Sequence, residues 1–131
     1  MDMPTYLVLQ AEKNGKLPMT GRELFNYQDL IFIVPKTYDK DLDKELKKRY
    51  KISLAKWIKD TKYMGEHYWP ALKSEHEPIN CFIKKYARSR GVYRPADYIN
   101  HFYSLLKTCV KKGKISRRKN KDGLWEYTGV T

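Results

Sequence analysis

Hydrophobic residues recur every three or four positions in three segments of the second half of the chain. The first segment predicts a helix over residues 54–64, with Ser53 as its cap and Gly65 just beyond its end. The other two predict a helix over residues 78–90 and a longer one over residues 95–112. This spacing is typical of helices that bury one face against a core.

Proline and glycine residues set the expected ends of the last two helices. Pro78 and Pro95 suit the first position of a helix, and Gly91 suits the position after an end. A capping box of Ser74 and Glu77 is an alternative, earlier start for the middle helix. Both starts are compatible with the pattern.

Beyond Gly113 the pattern changes from helical to strand-like. Residues 114–118 and 124–127 are predicted to be short strands, and the stretch between them ends in an Asp-Gly pair, a common hairpin turn. We therefore expect a β-hairpin over residues 114–128, with Trp125 on its inward face.

The first 50 residues carry weaker patterns. Residues 6–10 and 30–34 are apolar enough for short strands. Thr20 and Glu23 form a capping box that predicts a short helix, and a sparse apolar stripe predicts another over about 41–50. We see no repeat and no low-complexity linker.

Charge is the first indication of a partner. The 131 residues include 27 lysines and arginines against 15 acidic residues, which gives a net charge of +12. Residues 74–131 hold 13 of these basic side chains against 5 acidic ones. A basic half on a chain that is 41% apolar indicates a folded protein with a polyanionic partner, either nucleic acid or an anionic membrane surface.

The sequence carries no membrane or secretion signal. It has no apolar run of 18 residues, and its N-terminus lacks a basic stretch followed by an apolar one. Cys81 and Cys109 fall at apolar positions of predicted helices, so we interpret them as reduced core thiols. We expect an intracellular protein without a membrane partner.

The order of helices, glycine turn, long basic helix and basic hairpin carries a family resemblance. An apolar helix ends near Gly91, a turn runs through Val92, and the long helix passes through Gly113 into the hairpin. This pattern resembles the winged helix-turn-helix superfamily. It implies a mainly α fold with a small β-hairpin (α+β), with a winged-helix domain over residues 51–131 and an N-terminal extension over residues 1–50.

The resemblance also implies how such a domain would contact DNA. The long helix would lie in a major groove, and the hairpin would lie beside it on the backbone or in the minor groove. Asn100 can pair with adenine and Arg94 with guanine, whereas lysines and arginines contact phosphates. The candidate contacts are Arg94, Asn100, His101, Ser104, Lys107, Lys111, Lys114, Arg117, Arg118, Lys119 and Lys121.

Catalytic signals are weak. Glu66-His67 and Glu75-His76-Glu77 offer groups that bind metals or move protons, but no His-Glu-x-x-His, Cys-x-x-Cys or glycine-rich phosphate loop accompanies them. We interpret His67 and His76 as part of polar connections between helices. We expect no enzyme activity, no cofactor and no metal.

Three functions remain open. The first is binding of double-stranded DNA, as a regulator or as the DNA-holding subunit of a complex. The second is an adaptor that binds an acidic protein, which an exposed apolar patch at residues 6–10 or 30–34 would favour. RNA or single-stranded DNA would require exposed tyrosines in a basic groove. Residues 1–50 can also supply a contact to a protein partner or a homodimer.

Overall fold

Helices make up most of the computed structural model, which describes residues 1–90, 93–96 and 98–130. The helices are α1 (Met3–Lys13), α2 (Gly21–Tyr27), α3 (Lys40–Tyr50), α4 (Leu54–Tyr63), α5 (Trp69–Arg90) and α6 (Ile99–Lys111). The strands are β1 (Met19–Thr20), β2 (Ile33–Pro35), β3 (Tyr93–Pro95), β4 (Ile115–Lys119) and β5 (Trp125–Gly129). The α+β class is confirmed, while the expected helix end at Gly91 and the turn at Val92 lie outside the described residues.

The chain forms two compact units. Unit 1 consists of Met1–Asp29, Gly65–Trp69 and Ile99–Thr131, and unit 2 consists of Leu30–Met64 and Pro70–Tyr98. The units therefore do not follow a boundary at residue 50, because the first two helices of the chain belong with its last helix.

Unit 1 has a three-stranded antiparallel sheet in the order β1-β5-β4. Helix α1 packs on β5, α2 and α6, and α6 also packs on α2 and β4. The core between these elements includes Leu7, Leu24, Phe102 and Leu106, all of which are buried. The rings of Phe25 and Phe102 meet edge to face, with their centroids 5.5 Å apart.

The strand expected at residues 6–10 is wrong, since these residues lie in the middle of α1. The Asp2 side chain caps this helix by accepting a hydrogen bond from the Thr5 amide at 2.9 Å. Leu7, Val8 and Ala11 are buried at the three-to-four-residue spacing of a helix face. The short apolar run on its own resembled a strand because its cap and its last buried residue lie outside it.

Unit 2 packs three helices with the antiparallel pair β2-β3. Helix α4 is confirmed, and the Ser53 side chain caps it by accepting from the Lys56 amide at 3.1 Å. Strand β2 covers only the end of the strand expected at 30–34. The buried Asn80 side chain accepts from the Ile33 amide at 2.9 Å and donates to the Ile31 carbonyl at 3.1 Å, which satisfies polar backbone groups that would otherwise be buried without partners.

Helix α5 begins earlier than either expected start, at Trp69, so Pro78 lies inside the helix. Proline removes one backbone donor from a helix. The residues between Trp69 and Pro78 include strong helix formers, and Trp69 itself is fully buried.

Among the described residues, no helix combines the length and the apolar character that crossing a bilayer requires.

Helix α6 begins at Ile99, four residues later than its pattern suggested. Tyr93–Pro95 are extended because β3 pairs with β2, with Pro95 opposite Ile33. The Ala96 amide continues this pairing by donating to the Phe32 carbonyl at 2.7 Å. Proline at the end of an edge strand is thus an alternative to proline at a helix start.

Candidate nucleic-acid interface

Helix α6 separates its residues into a buried and an exposed face, as its apolar spacing predicted. Phe102, Leu106 and Cys109 are buried in unit 1. Four predicted contact residues on the opposite side are exposed, namely Asn100, Ser104, Lys107 and Lys111. These four lie at positions that face the same side of a helix, so they form one continuous polar stripe.

The hairpin directly follows this helix and is confirmed. Strands β4 and β5 pair from Ile115 opposite Gly129 to Lys119 opposite Trp125. At the tip, the Asn120 side chain accepts from the backbone amides two and four residues later, at 2.9 and 3.0 Å. Gly123 has a φ of 78°, a left-handed conformation that glycine adopts without strain. The tip is therefore an ordered turn.

Six cations on α6 and the hairpin have no acidic partner in the part of the chain that the structure describes. They are Lys107, Lys111, Arg117, Arg118, Lys119 and Lys121. Arg117 is half-buried and the other five are exposed. None of them forms an ion pair with any residue that the structure describes. Their charge is available to an anionic partner.

Lys114, also a predicted phosphate contact, is instead paired within the protein. Its Nζ lies 3.1 Å from Oδ2 of Asp2, which is only 8% exposed. Burial alone would raise the pKa of the Asp2 carboxyl, but the hydrogen bonds that it accepts from Thr5, Lys114 and Cys109 outweigh burial and lower it. Burial and the adjacent Asp2 carboxylate raise the pKa of the Cys109 thiol to about 11, so this thiol stays protonated.

This cluster predicts a pH-dependent contribution to stability. Asp2→Asn keeps a helix cap but loses the ion pair with Lys114, and we expect it to cost about 1 kcal/mol at neutral pH. Because the folded-state pKa of Asp2 is lowered, the cost is present above the ordinary pKa of about 3.9 and disappears as pH falls through the folded value. Urea unfolding at pH 7 and at a pH below the folded-state pKa of Asp2 measures it.

Asp122→Asn is the matched control, because Asp122 is an exposed acid at the hairpin tip. It should change stability by less than about 0.5 kcal/mol at both pH values. An Asp2→Asn cost that is equal at the two pH values would contradict a role for the Asp2 charge.

Two other predicted contacts have different surroundings. His101 is half-buried, and its Nε2 lies 2.8 Å from Oε1 of Glu66, so it is held within unit 1. Arg94 is exposed but belongs to β3 in unit 2 and not to α6. There it borders an open groove of about 360 Å³ together with Lys84 and Arg88. Arg94 is therefore not part of the α6 stripe.

The expectation that Trp125 and Cys81 are buried was wrong. Trp125 is not buried on the inward face of the hairpin, since 40% of it is exposed. The partner strand carries Arg117, whose guanidinium lies 4.1 Å from the centre of the indole ring. This cation-π contact stabilises the ring in its partly exposed position. Cys81 is exposed on α5, whereas Cys109 is a buried thiol as expected.

Sequence reasoning missed a cleft beside the stripe. We call it the hairpin cleft, an open space of about 320 Å³ between the start of α2, α6 and the hairpin. Its side chains include Arg22, Tyr103, Lys107, Arg117, Leu124 and Trp125. Tyr103 could have been suspected because it falls outside the buried stripe of α6, but Arg22 lies far away in the sequence.

The surroundings of His76 differ from those that the sequence suggested. His76 is not in a connection between helices but within α5, where its ring stacks on Trp57 with centroids 5.9 Å apart. Within the described ranges, no three histidine, cysteine or acidic side chains are grouped so that they could hold a metal ion. The candidate site in unit 1 is instead the set of unpaired cations on the exposed stripe of α6 and on the hairpin.

Comparison with known proteins adds no family, because no family model, no curated protein and no solved structure matches the chain.

Proposed function

We propose that unit 1 is a winged-helix unit that binds double-stranded DNA through the exposed stripe of α6 and the β4-β5 hairpin. Three helices followed by a hairpin is the order that the sequence resemblance implied. In unit 1 this order is supplied by α1, α2, α6 and the hairpin. The last helix and the hairpin are the ones expected from the sequence, whereas in this proposal α1 and α2 replace the helices expected at 54–64 and 78–90 as the first two helices of the unit.

The six unpaired cations carry the proposal. A polyanion gains most from cations that are not already neutralised, and each phosphate contact releases condensed counterions from duplex DNA. Lysines and arginines of the same unit that have acidic partners, such as Lys114, cannot contribute in this way without losing an existing ion pair. The proposed contact therefore combines free charges on α6 and the hairpin with polar groups of α6 that can read base edges.

The adaptor alternative lacks the observation that would favour it. It needs an apolar patch exposed at residues 6–10 or 30–34. Leu7, Val8 and Phe32 are buried, and Leu9 alone of the aliphatic residues in the first stretch is exposed. An isolated exposed leucine is normal on a protein surface.

Two variants separate reading of sequence from gripping of the backbone. Asn100 lies in the first turn of α6, so Asn100→Ala should cost about 1–3 kcal/mol on a preferred sequence and little on random duplex. Replacing Arg117, Arg118 and Lys119 by glutamine should weaken binding to all duplexes equally, because phosphates are the same in every sequence. Competition binding on a selected site and on random duplex measures both.

The comparison is internal and can fail clearly. A hairpin variant that changes sequence preference, beside an Asn100→Ala protein that keeps it, would contradict α6 as the reading helix. If the parent protein binds no duplex at low salt, the proposed function is wrong.

A further inference from the structure

The hairpin cleft combines apolar rings with a rim of cations. Tyr103, Leu124 and Trp125 line it and are 37%, 56% and 40% exposed. Large apolar side chains that are exposed together in one concave place mark a binding site more often than scattered ones do.

The charges around the cleft define the chemistry of its occupant. Arg22, Lys107 and Arg117 contribute to its walls, and none of them is neutralised by a described acidic residue. A nucleotide matches both properties, because its flat base stacks on aromatic rings and its phosphate is attracted to cations. An acidic peptide would use the charges but would give the Tyr103 ring and the remaining exposed surface of the Trp125 ring no flat group to stack on.

A glycine fixes the position of one aromatic wall. A Cβ atom built on Gly21 would lie 3.0 Å from Cε1 of Tyr103 and 3.2 Å from Cδ1 of Leu106. The absence of a side chain at Gly21 therefore lets the Tyr103 ring lie directly against the start of α2. Tyr103 and Lys107 are one turn apart on α6, so the cleft adjoins the exposed stripe.

A base that is paired inside a duplex is stacked between its neighbours, so its faces are covered. Paired DNA therefore offers no base that could stack on the rings of this cleft. We propose that the hairpin cleft takes an unpaired nucleotide of DNA next to the duplex that α6 binds. This inference rests on the proposed function and adds a substrate class: the protein prefers a duplex with a single-stranded overhang to a blunt one.

The experiment compares a blunt 12-base-pair duplex with the same duplex carrying a three-thymidine overhang at its 3′ or its 5′ end. Stacking of one base on an aromatic side chain should raise affinity about tenfold. Trp125→Ala should bring the ratio of overhang to blunt-duplex affinity down to about one, and this ratio is the readout because the indole ring also contacts Arg117. Trp125→Phe should retain much of the gain. Tyr68→Ala is the control, since it removes an exposed ring of unit 1 outside the cleft.

Tryptophan fluorescence gives a second readout that does not depend on affinity. Trp57 and Trp69 are fully buried, so contact quenching by a bound base should affect Trp125. The overhang should quench the emission of the parent protein, and Trp125→Phe should lose the quenching. Gly21→Ala should reduce both the quenching and the affinity gain, because it displaces Tyr103 without removing a ring.

The outcomes distinguish this inference from the proposed function. Equal binding of blunt and overhang duplexes, or equal weakening of both by Trp125→Ala, overturns the cleft as a nucleotide site and leaves duplex binding intact. Binding and quenching by the overhang strand alone, with no binding of blunt duplex, supports the cleft and overturns the proposed function. No binding of any of these DNAs overturns both.

Discussion

Replacing Phe102 with alanine is expected to lower the free energy of unfolding by about 3–5 kcal/mol. The side chain is fully buried near the start of α6, and its ring packs edge to face on Phe25 with centroids 5.5 Å apart. Its truncation removes buried apolar surface and leaves a cavity that the surrounding helices can fill only in part. Small domains have about 5–15 kcal/mol of stability in total, so the loss is a large fraction.

Urea unfolding followed by circular dichroism measures this loss. Ser104→Ala is the matched control, because Ser104 is exposed two residues further along the same helix. It should change stability by less than about 0.5 kcal/mol. A Phe102→Ala protein that unfolds at the same urea concentration as the parent would contradict the buried stripe of α6.

Local signals predicted the elements whose ends carry their own caps or turns. Helix α2 has the capping box formed by Thr20 and Glu23, and α4 has its Ser53 cap. The hairpin has the glycine that its turn requires, at Gly123. In these cases the hydrogen bonds that fix the element are made by residues close in the sequence, so a short window contains the information.

The grouping of helices could not be predicted in the same way. Three consecutive amphipathic helices before the hairpin suggested one domain, yet α6 packs on α1 and α2. A helix pattern shows which face is buried but not which partner buries it. Residues Gly65–Trp69 illustrate this, because the Gly65 carbonyl accepts from the Met3 amide at 2.9 Å, a contact between segments about 60 positions apart.

The candidate site also has one part that the sequence predicted and one part that it did not. The stripe of α6 and the basic hairpin are consecutive in the sequence, so their cations were found from charge and helix spacing. The pairing of Lys114 with Asp2 could not be found in this way, since the two residues lie far apart in the sequence. The hairpin cleft likewise needs Arg22, Tyr103 and Trp125 from three separate segments, and each of them alone is an ordinary surface or core residue.

The largest effect on binding should come from salt. If the six unpaired cations contact about six phosphates, the logarithm of the binding constant should fall with the logarithm of salt concentration with a slope of about −5. Raising the salt from about 50 to 200 mM should then weaken binding to random duplex by about a thousandfold. Fluorescence anisotropy of a labelled duplex at several salt concentrations measures the slope.

The contribution of the hairpin to this slope can be isolated. Replacing Arg117, Arg118 and Lys119 by glutamine removes three cations at positions without ion pairs, so the slope should flatten by about three units. Replacing Lys44, Lys48 and Lys59 of unit 2 by glutamine removes the same charge from exposed helical positions and is the control.

If the contact is made by unit 1, the control protein keeps the slope of the parent, because net charge alone releases no counterions from DNA that the residues do not touch. Equal flattening by both variants would mean that the DNA responds to the overall charge of +12 and not to the α6 stripe and hairpin. A slope near zero for the parent protein would rule out phosphate contacts as the source of affinity, since released counterions are what couples binding to salt.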